Sequence, residues 1–194
     1  MDTTAVPSPA KVEPAVRTPW RTWVSVTLLG YAGVILALTT LKSFYTIGLL
    51  WKPENQRVRQ LRLVPFGIIE DSSTTFGWVF DILGNLALFV PLGMMLMVLS
   101  CRWRWTVGIA ALFSLGIEVS QYVFSLGRSD VTDLISNTAG AALGAWIACW
   151  FASRPVWSKR WQTVLTAAVG LAVLVFVVLV ILGPALGDPD KVVG

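Results

Sequence analysis

The chain has 194 residues, of which 55% are hydrophobic and only 13% are charged, with a formal net charge of +4. A soluble domain carries charges on roughly a quarter of its residues, so this composition excludes an ordinary soluble domain. The chain contains no histidine, which excludes a Ser-His-Asp triad, a Cys-His dyad and a histidine-ligated zinc site. Any acid–base chemistry therefore falls to carboxylates.

Five apolar runs follow one another along the chain, and each is long enough to cross a hydrocarbon core of roughly 30 Å. They cover residues 22–41, 76–99, 105–126, 134–152 and 163–182. Helices are the expected form, because every backbone amide must find its hydrogen bond inside its own segment. We predict an all-α fold, a polytopic membrane helix bundle with about five transmembrane helices.

Short polar segments flank this membrane domain, which we place at residues 22–183. Residues 1–21 are rich in Pro, Ala, Thr and Val with scattered charge, which predicts a disordered cytoplasmic tail, and residues 184–194 form a C-terminal tail. Basic residues divide almost evenly between the two sides of the predicted bundle. The tail and the tight loops beside the spans carry more weight than one long loop, so we predict a cytoplasmic amino terminus.

Three pairs of polar residues lie one helical turn apart inside or beside the apolar runs. They are Asp81 with Asn85, Glu118 with Gln121, and Asp133 with Asn137. Because successive spans alternate in direction, all three pairs lie toward one membrane face, and each pair occupies one side of its helix. A charge at the bilayer centre costs about 2.5–3.5 kcal/mol, so such residues are rarely present without a partner or a role. The spacing predicts one shared polar pocket.

Glu118, Arg128 and Asp133 are the candidates for chemistry in this pocket. Glu118 lies deepest in its span and is the best candidate for a general acid or base, and Arg128 would hold a phosphate or a developing anion. The structural alternative is a set of buried ion pairs, in which Glu118 and Asp133 bind Arg128 and only pin the turn between two spans. Both interpretations stay open at this point.

The three amides of the pocket, Asn85, Gln121 and Asn137, are candidate ligand-binding residues. They are equally compatible with plain hydrogen bonds between helices. Three aspartates near the same face carry oxygen ligands that suit Mg²⁺, but no recognised spacing of metal ligands is present. We predict no metal site and no cofactor.

The connection between the first two spans is basic. Arg57, Arg59 and Arg62 precede the sequence Leu-Val-Pro-Phe at residues 63–66. Clustered arginines suit the phosphate groups of a lipid or a lipid-linked sugar, which makes Arg62 a candidate ligand-binding residue. The alternative is a solvated loop that meets anionic headgroups without specificity.

Small residues in the fourth run predict close helix packing. Gly140 and Gly144 form a GxxxG pattern, whose missing side chains let another helix approach the backbone. In the second run, Pro91 removes one helical hydrogen bond and Gly93 follows, which indicates a kink. Gly140 and Gly144 are also a candidate contact for a partner membrane protein.

Three ordered segments carry a family resemblance. They are LVPF at residues 63–66, DILGNLALFVPLG at 81–93 and GIEVSQYVFSLGRSDVTDLISNTAGAALG at 116–144. The chain resembles the VanZ-like family of bacterial membrane proteins over about its middle half, with one departure, because Arg62 stands where the family usually has Asn. The resemblance implies a multi-pass protein of the bacterial plasma membrane with a cell-envelope role, since the founding member is associated with resistance to the glycopeptide teicoplanin.

Three functions are compatible with these residues. The first is binding of a cell-envelope component in an outward-facing polar pocket, with membrane lipids, a lipid-linked cell-wall precursor or a glycopeptide as partners. The second is a membrane enzyme that acts on a lipid-linked envelope precursor, and the third is a non-catalytic scaffold subunit. Transport is less favoured, because five spans with no visible repeat lack the paired halves common in transporters. We expect no nucleic-acid partner.

Overall fold

The structure, a computed structural model, describes residues 19–45, 59–67, 69, 75–154 and 160–183. Five helices account for most of this part of the chain, and each is long and apolar enough to cross a membrane. They are α1 (Pro19–Thr39), α2 (Thr75–Ser100), α3 (Trp103–Phe124), α4 (Val131–Ala152) and α5 (Arg160–Leu182). The prediction of an all-α membrane bundle with five transmembrane helices is confirmed.

Helix α1 begins earlier than the sequence suggested. It starts at Pro19, so residues 19–21 belong to the helix and not to the predicted tail. Proline suits the first position of a helix, because its fixed φ is already helical and its missing N–H would have no partner there. The rest of the predicted amino-terminal tail, residues 1–18, and the carboxyl-terminal tail, residues 184–194, lie outside the described residues.

The most extensive contact in the bundle joins α2 to α4, and glycines make it possible. A Cβ atom added at any of three glycines would collide with a carbonyl oxygen of the opposite helix. These collisions pair Gly93 with Ala141, Gly140 with Leu86, and Gly144 with Val90. The GxxxG surface offered as a contact for a partner protein is therefore occupied by α2 of the same chain.

The remaining helices pack around the α2–α4 pair. Helix α3 contacts both α2 and α4, whereas α1 lies between α2 and α5. Tyr31 of α1 is buried, and its hydroxyl donates to the carbonyl oxygen of Leu88 in α2 at 3.0 Å. Phe89, Ile117 and Ala141 place the apolar core between α2, α3 and α4. Helix α5 is peripheral, and only its residues Trp161 and Val169 are buried.

Alternating helix directions give the bundle two different ends. At one end, which we call the polar end, α1 and α3 finish while α2 and α4 begin, and Asn85 of α2 meets Asp133 of α4. At the opposite end, which we call the basic end, Arg21 in the first turn of α1 donates from Nη2 to the carbonyl oxygen of Leu99 in α2 at 2.8 Å.

Two short strands at the polar end were not predicted. Strand β1 (Arg59–Arg62) and strand β2 (Gly127–Asp130) pair in parallel, with Arg59 opposite Gly127 and Arg62 opposite Asp130. The sequence indicated only a basic loop and a turn in these places. Four-residue strands carry almost no periodic signal, and their pairing satisfies backbone groups that would otherwise lie unpaired beside the membrane.

Candidate functional site

Glu118 is fixed by strand β2. Its side chain is 5% exposed, and its Oε2 accepts a hydrogen bond from the backbone N–H of Asp130 at 2.7 Å. The side chain of Ser129 is a further hydrogen-bonding partner of the same carboxylate. Strand β2 can reach the carboxylate because α3 ends at Phe124 and the next residue, Ser125, has a left-handed φ of 55° that turns the chain back toward the helix. Glu118 therefore has one defined orientation.

Arg128 does not hold this carboxylate. Its side chain is exposed, and among the described residues it forms no ion pair with Glu118 or Asp133. The turn between α3 and α4 is instead pinned by hydrogen bonds, since Asp130 also caps α4 by accepting from the backbone N–H of Thr132 at 2.8 Å. Hydrogen bonds from the β2 backbone replace the ion pairs that the sequence suggested.

The three amides each join a different pair of helices. Asn85 of α2 donates from Nδ2 to Oδ1 of Asp133 in α4 at 2.6 Å. Asn137 of α4 donates to the hydroxyl of Ser114 in α3 at 2.9 Å, and Gln121 of α3 donates to the carbonyl oxygen of Thr39 in α1 at 2.9 Å. Four helices are thus tied together at the polar end.

Two of these amides keep a buried oxygen without a hydrogen bond. Oδ1 of Asn137 and Oε1 of Gln121 find no partner within the described part of the chain. A buried amide oxygen in this state costs roughly 1–3 kcal/mol. Both side chains lie inside helix contacts, so their geometry fits interhelical hydrogen bonding.

Lys42 belongs to the polar end but is absent from the predicted site. It lies in a short 3₁₀ helix, Leu41–Ser43, that follows α1. Burial lowers the pKa of its ammonium group below 10.5, the carboxylates of Asp81 and Asp133 oppose this shift, and Arg128 adds to it. We call Lys42, Asp81, Asp133 and Arg128 the charged cluster. In the sequence, the signal for Lys42 was a lone cation just beyond the first apolar run, at the same end as the acidic pairs.

A cavity of about 210 Å³ opens between β1, α3 and α4. Its polar lining comes from Arg62, Glu118, Ser129 and Asp130, whereas its other walls are apolar. The apolar walls include Leu115, Val119 and Tyr122 on α3 and Leu134 on α4. The ring of Tyr122 also carries the guanidinium of Arg59, 4.6 Å from the ring centroid, which fixes the start of β1 over α3.

The LVPF segment, residues 63–66, anchors the end of β1 to α4. The backbone N–H of Phe66 donates to the hydroxyl of Thr132 in the first turn of α4 at 2.9 Å. Phe66 has a left-handed φ of 60°, and the N–H of Gly67 donates to the carbonyl oxygen of Val64 at 3.2 Å, which closes the turn. This tight turn holds Arg62 at the cavity.

Only some of the predicted residues line this cavity. Glu118 and Arg62 line the cavity together with Asp130. Asn85, Arg128 and Asp133 lie with the charged cluster, and Gln121 and Asn137 lie in helix contacts; none of these five lines the cavity. The alternating direction of the spans placed all of them at one end of the bundle, and the cavity takes Glu118 and Arg62 from this set. Within the described ranges, no three acidic or cysteine side chains come together as a metal site would require.

Comparison with known proteins identifies a family for this chain. Residues 28–152, from α1 to the end of α4, match the sequence profile of the VanZ/LLP1 family. The chain belongs to this family. It is 32% identical to Protein VanZ of Enterococcus faecium over 92 residues, which is 46% of this chain and 53% of that relative. The chain thus spans about half the length of this relative, and no solved structure matches.

Family membership defines the class of the protein. It is a VanZ-like, multi-pass bacterial membrane protein, as the sequence resemblance predicted. The matched range contains the cavity residues and the charged cluster, whereas α5 lies beyond it.

Proposed function

We propose that this VanZ-like protein binds an amphiphilic component of the bacterial cell envelope in the cavity between β1, α3 and α4. The observation that supports this proposal is the composition of the cavity. Apolar walls lead to a guanidinium group and a buried carboxylate, Arg62 and Glu118. Cavities of this kind suit a ligand with an apolar chain and a polar headgroup.

The apolar wall is open to the membrane. Leu115 and Val119 are 45% and 52% exposed, and they follow one another by one turn along α3. An acyl or isoprenoid chain can therefore reach the cavity sideways from the bilayer. Such a chain would pack against Leu115, Val119 and Leu134 through apolar contacts alone.

The polar wall selects the headgroup. A guanidinium group forms paired, charge-assisted hydrogen bonds with phosphate oxygens, which is the role proposed for Arg62. The Glu118 carboxylate, already oriented by Asp130 and Ser129, accepts hydrogen bonds from sugar hydroxyls. The ligand class is a lipid-linked glycan phosphate, and a link to glycopeptide (teicoplanin) resistance through this class is part of the proposal. Its location on the outer side follows the predicted orientation.

The charged cluster and the three amides act as positioning residues in this proposal. They join α1 to α4 around β2, and β2 in turn orients Glu118. Arg128 and Asp133 then affect binding through the placement of β2, without touching the ligand.

Binding to purified protein tests the proposal. Undecaprenyl phosphate and a lipid-linked disaccharide pyrophosphate serve as probes, with bound ligand counted by native mass spectrometry. Loss of a hydrogen bond to a charged group corresponds to about 1.5–3 kcal/mol, so Arg62→Gln and Glu118→Gln are each expected to weaken binding by about 10-fold to 100-fold. The matched control for Arg62→Gln is Arg154→Gln, which removes the same charge outside the cavity. Equal binding by all three variants would refute the cavity as the site.

Catalysis on the same ligand is a second candidate. The supporting observation is that Glu118, whose carboxylate has one defined orientation, lines the cavity together with an arginine, and a general acid or base must be held in place in this way. Incubation of the purified protein with the same two probes, followed by mass spectrometry of the products, distinguishes the candidates. Product that forms with the native protein and not with Glu118→Gln supports an enzyme, and unchanged probe supports binding alone.

A further inference from the structure

The basic end carries a surface that the cavity at the polar end does not involve. Four consecutive residues, Arg102, Trp103, Arg104 and Trp105, line a shallow, open depression at the start of α3. We propose that this arginine–tryptophan site binds the phosphate headgroup of an anionic phospholipid.

The turn before α3 gives the site a fixed backbone. Ser100 closes α2, and its hydroxyl accepts from the backbone N–H of Arg102 at 3.2 Å and is 2.8 Å from the hydroxyl of Thr106. Cys101 between them has a left-handed φ of 51°. This tight connection holds the two arginines in one place, so the side chains alone adapt to a ligand.

Charge separation along the bundle leaves these arginines available. All carboxylates within the described ranges lie at the polar end, and they are Asp81, Glu118, Asp130 and Asp133. Two other arginines of the basic end already have partners, because Arg21 donates to Leu99 and Arg154 stacks on Trp150 at 5.0 Å. Arg102 and Arg104 have no carboxylate partner in the part of the chain that the structure describes. An anionic headgroup is the counter-charge that the proposal assigns to these two arginines.

The neighbouring tryptophans identify that anion as a lipid headgroup. Trp103 and Trp105 are 43% and 60% exposed, and they lie where α3 enters the membrane. Indole rings favour the headgroup level of a bilayer, with their apolar edge toward the chains. Arginine forms charge-assisted hydrogen bonds with phosphate, and one such bond at an exposed site, at about 1 kcal/mol, strengthens binding by about fivefold. Two arginines are therefore expected to contribute about thirtyfold.

A lipid-binding experiment with matched charge removal tests the site. The purified full chain is placed in phosphatidylcholine nanodiscs or detergent micelles and titrated with phosphatidylglycerol, and bound lipid is counted by native mass spectrometry. The double variant Arg102→Gln/Arg104→Gln is expected to weaken phosphatidylglycerol binding about thirtyfold. The double variant Arg154→Gln/Arg160→Gln removes the same charge from the same end but lies outside the site, and less than threefold weakening is expected.

Three outcomes would overturn the proposal. Equal loss in both double variants would mean that the overall charge of the basic end attracts the lipid without a site. Unchanged binding in Arg102→Gln/Arg104→Gln would exclude these arginines. Displacement of the lipid by millimolar sn-glycerol 3-phosphate would show that a free phosphate suffices and that the bilayer contributes nothing.

Two further controls test whether each variant folds and whether the cavity at the polar end affects the result. Each variant must elute as a single species from size-exclusion chromatography. Where the double variant does not, the single variants replace it, each with an expected fivefold loss. Glu118→Gln leaves the basic end intact and is expected to bind phosphatidylglycerol like the native protein, so this test stands apart from the proposed function.

Discussion

Gly144 is the position where one added methyl group tests the contact of α2 with α4 most directly. A Cβ atom at Gly144 would meet the carbonyl oxygen of Val90, its carbonyl carbon at 2.9 Å and the backbone nitrogen of Met94 at 3.0 Å. All three atoms belong to the backbone of α2, so no side chain can rotate away. Gly144→Ala therefore requires the two helices to move apart.

The expected cost follows from this geometry. Inserting one methyl group into a tightly packed contact typically costs about 1–3 kcal/mol when the backbone must shift. Gly108→Ala in α3 is the matched control, because a Cβ atom there has no neighbour within 4 Å. Alanine also has a better helix propensity than glycine by up to about 1 kcal/mol, and this benefit is common to both variants.

Thermal unfolding in detergent measures the difference. For a chain of this length, about 1 kcal/mol shifts Tm by roughly 2–4 °C, so Gly144→Ala is expected to unfold about 2–12 °C below Gly108→Ala. Gly140→Ala is expected to behave like Gly144→Ala, since its Cβ would meet the carbonyl of Leu86. Equal Tm values for Gly144→Ala and Gly108→Ala would refute the close backbone contact between α2 and α4.

Three further predictions concern the polar end. A double-mutant cycle with Asn85→Ala and Asp133→Ala is expected to give a coupling energy of about 0.6–1.7 kcal/mol in unfolding experiments, because the 2.6 Å hydrogen bond joins α2 to α4. Additive effects of the two substitutions would contradict this hydrogen bond. In a chain with Cys149 replaced by Ala, membrane-impermeant thiol reagents are expected to label Gln60→Cys from one side of the membrane and the native Cys101 from the other. Labelling of both positions from the same side would contradict the alternating spans. Burial lowers the pKa of Lys42 in the folded chain, so just below pH 10.5 the unfolded chain retains a proton that the folded chain loses. The free energy of unfolding is therefore expected to rise with pH in that window, and the Lys42→Gln variant is expected to lack this rise. Parallel pH profiles for the native chain and the variant would contradict a buried ammonium group.

The location of the polar residues could be predicted from the sequence because it depends on chain direction alone. Asp81 and Asn85 begin one span, Glu118 and Gln121 end the next, and alternating spans bring them to one end. Their partners could not be predicted in the same way. Glu118 is bound by the backbone of β2, and a backbone N–H leaves no mark in the sequence.

The sequence predicted that the glycines pack closely against a helix, but it did not predict which helix. A GxxxG pattern indicates close approach of some helix, because only glycine removes the side chain from the contact. Whether that helix belongs to the same chain depends on the whole arrangement, and here Gly140 and Gly144 face α2. The candidate external contact is therefore internal.

The sequence by itself determined the class of the protein, its five membrane helices and the family to which it belongs, because apolar length and ordered motifs are local properties of the chain. Tertiary structure decided how the polar end is divided. The parallel pairing of β1 with β2 joins segments that are more than sixty residues apart, and it places Arg62 in one cavity with Glu118, whereas Lys42 lies near Asp81 and Asp133. Such long-range backbone pairing follows from the packed helices that bring the strands together, and no local pattern in either segment encodes it.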